Sequence, residues 1–482
     1  MAMATSAKEV QDGLEWRVRV PQGSLAVVVE SQPDWVDRAW AWLTGIVLAV
    51  VSKAVGFGRK AWSVGSDDPR RVVHGVKVGT GLTLVSLFYY TRPLYDGVGG
   101  WAMWAVMTVV VVFEYTVGGC LCKGFNRSIA TSTAGFLAVG IHWAASKAGE
   151  KAEPVILSAS VFILASAATF SRFIPAIKAR FDYGITIFIL TFSLVAVSGY
   201  RVDQLLFLAQ ERVYTISIGV GICLIVCILV CPVWAGQELH LLVSGNLVKL
   251  ADSLQGLVEE CFMEDEAEEG KELPTAKSQG YKCVLNSKAT EDSQANLAKW
   301  EPGHGRFRFR HPWSQYLKVA AAMRYCAYCM EAFNGCISSE IKAPEDVKSH
   351  LRGASIKLSL DSSNVLKELS SSIMSMKESR SIHCLVVEMK NGVQELQVAL
   401  RSLPTDHVKK HRATLSLMEA MPLVTAASLL IEVSERVESV VEAVGVLARL
   451  ASFEPSLDRK KASSYSSVVP QDESVRPQPQ EV

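Results

Sequence analysis

Five of the basic side chains within or beside the apolar stretches of this sequence, where a fixed charge is costly, are candidates for function. They are Lys77, Lys123, Arg127, Arg172 and Arg212. Placing a Lys or Arg at the centre of a bilayer costs about 2.5–3.5 kcal/mol on insertion scales, so such a residue faces a cavity, a partner or the interface. Fixed positive charge lowers the barrier to anions and raises it for cations, and rings of Arg or Lys line many anion pores. These residues therefore predict a path for anions.

Acidic side chains are scarce in the same stretches, and Glu114 is the clearest exception. A path for cations would need the opposite balance of charge. Counting about 1.5 Å per helical residue from the ends of two neighbouring segments places Lys77 and Glu114 at nearly the same depth. Two interpretations stay open. Glu114 is a helix-pairing acid in an ion pair with Lys77, or Lys77 belongs to an inner cationic vestibule.

Arg212 stands at the start of the last apolar segment, beside Glu211. One interpretation is an interface anchor whose guanidinium reaches the lipid headgroups along its apolar stem. The other is the outer member of the same cationic path.

Long apolar runs must position these charges, and the run from residue 101 to 127 is the most prominent. A helix of about 20 apolar residues spans the hydrocarbon core, because it satisfies its own backbone hydrogen bonds there. We expect six such helices, at about 73–91, 100–122, 127–146, 154–174, 183–200 and 211–233. A further run, residues 39–58, is short for a span and suits a tilted or interfacial helix, although a seventh span stays open.

The Lys and Arg content of the connecting loops predicts the orientation. Basic residues are denser before the first span, between the second and third, and between the fourth and fifth, than in the alternate loops. We therefore expect a multi-pass protein of the lipid bilayer with both termini in the cytosol.

Composition divides the chain into four regions. We expect an N-terminal cytosolic extension with a short apolar helix at 1–61 and a six-helix transmembrane pore domain at 62–235. A cytosolic helical domain follows at 236–454. The last region, 455–482, is a disordered, Ser-rich tail that a kinase can modify. The predicted fold class is an all-α membrane protein. In the last helix, apolar residues recur at steps of three and four, which predicts a seam that is either core or a dimer contact.

Other function classes find little support. The 482-residue chain has a formal net charge of +1, so bulk attraction to nucleic acid is not indicated. Its eleven cysteines form no paired extracellular framework, and the CxxC of Cys326 and Cys329 lies in a helical pattern where packing is the better interpretation. There is no P-loop, Gly-x-Ser-x-Gly or HExxH motif. We expect neither an enzyme nor a cofactor or metal site.

Several long stretches follow one another along the chain: DPRRVVHGVKVG (68–79), WAVMTVVVVFEYTVGGCLCKGFNR (104–127), FDYGITIFILTF (181–192), CPVWAGQELH (231–240) and the signature WEPGHG (300–305), with HPWSQY after it. In this order they resemble the plant aluminium-activated malate transporter family. The segment 198–224 is most similar to the guard-cell, rapid-type anion channel branch.

The resemblance implies a homodimeric channel with six spans per subunit, which passively conducts malate and inorganic anions such as chloride, nitrate and sulfate. It implies that the basic residues inside the matched stretches are pore cations: Lys77, Lys123, Arg127 and Arg212. Arg172 lies outside those stretches. Trp300, Glu301 and Pro302 carry over as a structural signature.

A hard trivalent cation would require clustered carboxylates. The loop between the fifth and sixth spans offers Asp203 followed by uncharged residues, so we expect no need for aluminium. Two alternatives to a channel are a proton-coupled organic-anion transporter and a membrane-anchored scaffold. The guard-cell resemblance favours the plasma membrane, with the vacuolar membrane as the alternative.

Overall fold

A computed structural model describes residues 35–91, 102–199, 205–262, 278–337, 345–406 and 417–455. Throughout these residues the secondary structure is helical, without a β-strand, so the predicted all-α class is confirmed. The helices of the first half are α1 Trp35–Asp67, α2 Pro69–Tyr90, α3 Ala102–Val112, α4 Val117–Lys147, α5 Glu153–Ser171, α6 Pro175–Gly199 and α7 Leu205–Leu229. Those of the second half are α8 Ala235–Phe262, α9 Tyr281–Asn286, α10 Lys288–Ala298, α11 Trp313–Ile337, α12 Glu345–Ser375, α13 Ile382–Asp406 and α14 Leu417–Ala451.

The chain divides into two compact units, residues 1–72 and 73–482. In the first unit, the apolar run predicted as a short helix over 39–58 is part of α1, which is 33 residues long. Its portion Trp42–Asp67 is long and apolar enough to cross a membrane. The expectation of a short helix was therefore wrong, because the helix continues through Lys53, Arg59 and Lys60 to Asp67.

Five described helices have the length and composition of membrane spans: Trp42–Asp67, Pro69–Tyr90, Glu153–Ser171, Pro175–Ser198 and Gln210–Leu229. The last four coincide with predicted spans. The domain boundaries stay predictions, and the tail from residue 456 and the fifth-to-sixth loop with Asp203 lie outside the described residues.

The predicted second and third spans differ from the structure. The run 100–122 is not one helix, because α3 ends at Val112 and α4 begins at Val117. Thr116 caps α4 by accepting a hydrogen bond from the Gly119 N–H at 3.1 Å, and the Val117 N–H donates to the Val233 carbonyl at 2.9 Å. Lys123, which we expected between the second and third spans, and Arg127, which we expected at the start of the third, therefore both lie inside α4. Arg127 is about 15 Å along the helix from its start.

The described residues between 235 and 455, here called the C-terminal region, pack around their own apolar core. The core is made mainly by α8, α11, α12 and α14. The seam of α14 is buried in it, at Leu430, Val433, Val437, Val440, Val444 and Leu447. Within this one chain the seam is therefore core. Cys326 is buried in the same core.

Candidate functional site

Arg127 and Arg212 are brought together from two different helices. Each is only 7% exposed. The Arg127 guanidinium donates from Nη1 to the Tyr183 hydroxyl at 3.2 Å. The Arg212 guanidinium lies over the ring of Trp104, with its Cζ 3.8 Å from the ring centroid. The charge of Arg127 is close enough to act on that of Arg212.

Neither guanidinium is neutralised by a carboxylate in the part of the chain that the structure describes. The Nε atoms of both arginines are buried and have no hydrogen-bond partner among the described residues. The hydroxyl of Thr131, one turn beyond Arg127 on α4, is buried without a partner in the same way. Two buried like charges with unused donors are costly in a medium of low dielectric constant. An anion beside them would supply the missing charge and acceptors, so this pair is the candidate anion site.

Lys123 is placed differently from the two arginines. Its ammonium forms an ion pair with Glu114 and lies 5.6 Å from the ring centroid of Tyr183. Both partners of the pair are about one third exposed, at 33% for Lys123 and 38% for Glu114. Lys123 therefore shares Tyr183 with Arg127, but its charge is compensated. Glu114, which lies in the connection between α3 and α4, therefore pairs with Lys123 and not with Lys77.

Lys77 is 1% exposed and belongs to α2. Its ammonium donates to the backbone carbonyl of Cys231 at 2.8 Å. Cys231 follows the end of α7 and has a positive φ of 40°, so its backbone leaves the helical conformation. A cation at the carboxyl end of a helix is stabilised by the helix dipole and by the unpaired carbonyls. The structure thus places Lys77 at a helix end rather than in an ion pair with Glu114.

This contact gives a testable prediction for Lys77. Lys77→Ala removes a buried donor from the end of α7, and we expect the folded protein to lose about 1–3 kcal/mol of stability. An added Glu114→Gln change should not restore that stability, because Glu114 pairs with Lys123. The measurement is the melting temperature of the single and double variants in detergent. Recovery of the wild-type melting temperature in the double variant would contradict the structure and favour an ion pair between Lys77 and Glu114.

Arg172 lies apart from the candidate anion site. It follows the end of α5, and its guanidinium makes a two-pronged contact with Asp182, at 2.7 Å from Nε and 3.1 Å from Nη2. The side chain is 40% exposed. Because the ion pair with Asp182 compensates the charge of Arg172, the geometry gives Arg172 no role in an anion path.

Glu301 of the WEPGHG signature joins the spans to the C-terminal region. Its carboxylate is buried and accepts three backbone hydrogen bonds, from Gly118 at 3.2 Å, Ala235 at 2.6 Å and Gly236 at 3.0 Å. Gly118 lies in the first turn of α4, and Ala235 and Gly236 begin α8. The first N–H groups of a helix have no partner within it, and its dipole favours an anion there. One carboxylate therefore caps two helices at once.

The pKa of the Glu301 carboxyl is raised because its burial outweighs the three N–H donors. Glycine is required at two of those donors. A Cβ on Gly118 would lie 2.5 Å from the Leu297 carbonyl oxygen, and a Cβ on Gly236 would lie 2.4 Å from the Trp313 ring. The close approach that lets Glu301 reach both helices therefore depends on the absence of side chains.

The neighbours of Glu301 in the signature have different surroundings. The Trp300 ring packs against Phe125 of α4, with centroids 5.5 Å apart. Pro302 is exposed, and its carbonyl accepts a hydrogen bond from Nδ1 of His304 at 3.0 Å. Trp300 thus adds a second contact between the signature and the helix that carries Arg127.

The sequence HPWSQY completes this junction from the side of the C-terminal region. Nδ1 of His240 lies 2.9 Å from the Tyr316 hydroxyl, and Nε2 of His311 lies 3.4 Å from it. Burial lowers the pKa of both histidines to about 4. Both rings are therefore neutral near pH 7, and the cluster is a structural part of the core.

Two residues of the candidate site were not identified from the sequence, Tyr183 and Trp104. Both lie within stretches that carried the family resemblance, but their roles depend on which helix packs against which. A tyrosine and a tryptophan in apolar segments are otherwise typical of the membrane interface.

Comparison with known proteins gives a consistent result. The family model described as aluminium activated malate transporter matches residues 62–412. The chain is 48% identical to aluminum-activated malate transporter 10 of Arabidopsis thaliana, over 95% of this chain and 98% of the relative. It is 45% identical to aluminum-activated malate transporter 1 of Triticum aestivum, over 87% of this chain and 90% of the relative. Identity to aluminum-activated malate transporter 2 of Arabidopsis thaliana is 45%, over 85% and 80% of the two chains.

Proposed function

This chain belongs to the aluminium-activated malate transporter family, a family of membrane transporters and not of enzymes, and from that premise we propose that it is a passive anion channel. The anions are malate and inorganic anions such as chloride, nitrate and sulfate. The relatives are named malate transporters, which supports malate as the transported substrate. The channel opens without aluminium.

The observation that carries the proposal is the pair of buried arginines. Arg127 and Arg212 lie on different helices, both with an Nε that lacks a partner among the described residues. Ionisable residues buried among apolar helices are expensive and mark a transport path by default. Guanidinium groups present planar forks of donors that match carboxylates and other oxyanions. The pair suits a dicarboxylate that passes between two helices.

The alternatives explain less of this geometry. A scaffold gives the uncompensated pair no role, because a structural pair of buried charges would be matched by acids. A proton-coupled transporter needs a titratable group in its path that binds and releases the coupled proton. In the described structure two acids among the spans, Glu114 and Asp182, are each held in an ion pair. A passive path through Arg127 and Arg212 fits these contacts better.

Glu301 supports a further part of the proposal, control of the path by the C-terminal region. The carboxylate holds the start of α4, and Arg127 lies on the same helix. A shift of α8 or of the signature loop would therefore move the amino end of the helix that carries the site. The family resemblance further supports a homodimer in the plasma membrane. The basic residues of the loops support both termini in the cytosol, and the Ser-rich tail supports a kinase that acts on it.

The test is a recording of currents from cells that express this chain, with malate on the cytosolic side and no aluminium outside. We expect an inward current, which is anion efflux, whose reversal potential follows the malate gradient. Changes of the proton or sodium gradient should leave that potential unaltered. A shift with either cation would favour a coupled transporter. No current, with surface expression verified by labelling, would favour a scaffold.

A further inference from the structure

A second basic cluster lies outside the candidate anion site, at the junction between α6 and the signature loop. It lines a cavity of about 280 Å³. Its exposed basic residues are Arg180, Lys299, Arg308 and Arg310. The one carboxylate in the lining is that of Glu301, which already accepts three backbone hydrogen bonds. The cavity is therefore strongly positive, and none of these arginines is used by the proposed path.

The loop that carries two of these arginines is held in a defined shape. His304 and Phe307 exchange backbone hydrogen bonds at 3.0 and 2.9 Å across a tight turn, in which Gly305 has a φ of +54°. Arg310 has a φ of 63°, a left-handed conformation that is unfavourable for a residue with a side chain. Such strain persists only where the surrounding structure imposes it and is common at binding sites. The backbone that carries Arg308 and Arg310 is thus held in a defined shape before any ligand arrives.

His304 adds a buried polar atom that is not used by the rest of the described structure. Its ring is stacked on Trp234 at 3.9 Å between centroids, and its Nδ1 must donate to the Pro302 carbonyl. Its Nε2 is buried and has no hydrogen-bond partner among the described residues. In the neutral ring Nε2 accepts a hydrogen bond, and in the charged ring its N–H donates one. Phosphate groups have a second pKa near 6, so near pH 7 they offer both P–OH and P–O⁻.

The size and the charge of the cavity limit which ligands it can bind. Ligand pockets usually have volumes of about 300–1,000 Å³, so this cavity suits a compact group rather than a large organic molecule. Arginine clusters recognise phosphate through paired N–H donors. Chloride and nitrate each carry one negative charge, which would leave most of the positive charge of the four basic side chains uncompensated.

We propose that this cavity is a second anion site that binds a phosphate-bearing polyanion, through Arg180, Arg308, Arg310 and His304. The site is separate from the path through Arg127 and Arg212. It is also joined to it, because Asn126, the neighbour of Arg127, donates to the Arg180 carbonyl at 3.0 Å. The phosphate belongs either to a soluble polyphosphate or to the headgroup of a phosphorylated inositol lipid.

The test is equilibrium binding of radiolabelled pyrophosphate to the full-length chain in nanodiscs of phosphatidylcholine. We expect saturable binding that is weakened about tenfold or more in Arg308→Gln/Arg310→Gln, and similarly in Arg180→Gln, which probes the other wall of the cavity. The matched control is Arg401→Gln, an exposed arginine near the end of α13. The pore variant Arg212→Ala should bind pyrophosphate as the wild type does, whether or not the chain conducts malate.

A second arm separates the two sources of phosphate. The same chain is placed in nanodiscs that contain phosphatidylinositol 4,5-bisphosphate. Displacement of pyrophosphate by this lipid, in the wild type and equally in Arg401→Gln, assigns the site to a headgroup. Binding of pyrophosphate without displacement assigns it to a soluble ligand. Three outcomes would overturn the proposal: absence of saturable binding of either probe, an equal loss of binding in Arg401→Gln, or loss of binding in Arg212→Ala.

Discussion

Arg127→Ala and Arg212→Ala should each cut malate current by about tenfold or more, and the double variant by about 100-fold or more. A unit charge about 4 Å from an anion contributes about 4 kcal/mol at an effective dielectric constant of 20, and each 1.4 kcal/mol is a factor of ten in rate. The measurement is current density, divided by the amount of protein labelled at the cell surface. Arg212→Lys should retain part of the current, because it keeps the charge but loses the fork of donors.

The stability of these variants distinguishes a transport role from a structural one. Removing a buried charge that lacks a carboxylate partner among the described residues should leave the melting temperature unaltered or raise it, since the charge is costly to bury. The loss of the contact between Arg212 and Trp104 opposes this by about 0.5–2 kcal/mol. The matched control is Arg172→Ala, because Arg172 is paired with Asp182 and partly exposed. Its current should equal that of the wild type. Normal currents in both Arg127→Ala and Arg212→Ala would exclude the proposed path.

Glu301→Gln should give the largest loss of stability among the changes considered. Glutamine keeps the size of the side chain but has one acceptor oxygen and an NH₂ group that faces N–H donors. At least one of the three backbone N–H groups is then buried without a partner, and the charge at two helix starts is lost. Each buried donor without a partner costs about 1–3 kcal/mol, so we expect a loss of about 2–5 kcal/mol together with most of the current.

Hydrogen exchange can locate this effect in the molecule. In Glu301→Gln, the backbone amides of Gly118, Ala235 and Gly236 should exchange faster than in the wild type, while those in the middle of α14 should not change. Gly236→Ala should reproduce the result, because its Cβ would overlap the Trp313 ring. The control is Glu435→Gln, an exposed carboxylate on α14. Unaltered exchange and current in Glu301→Gln would show that the double cap is dispensable.

The predictions for Arg127 and Glu301 are connected through α4. Glu301 and Thr116 fix the start of this helix, and Arg127 is about 15 Å further along it. A change at Glu301 should therefore alter conduction even though its carboxylate does not line the proposed path. Arg127→Ala should not alter exchange at Gly118. This asymmetry separates a residue that positions the site from one that contacts the anion.

The sequence alone was sufficient for the fold class, the family and most of the spans. Apolar runs of about 20 residues are local, and the length of a bilayer helix follows directly from them. The motifs around Arg127, Arg212 and Glu301 are local as well, which is why the family resemblance could identify these residues before their contacts were known. The seam of α14 followed from its periodicity, although its burial in the core of this chain required the structure.

Only the tertiary structure decided which charges are compensated. The end of the predicted second span was wrong because the start of α4 depends on Val233, far along the chain, as well as on the Thr116 cap. Lys77 finds its acceptor 154 residues away, and Glu301 finds its donors 183, 66 and 65 residues away. Charge compensation and helix capping use single atoms at distances near 3 Å, and hydrophobic periodicity carries no information about such pairs. The same reason explains why Arg172 and Arg127, both basic residues beside spans in the sequence, differ in the fold. Arg172 is paired with Asp182, whereas the Nε of Arg127 has no hydrogen-bond partner among the described residues.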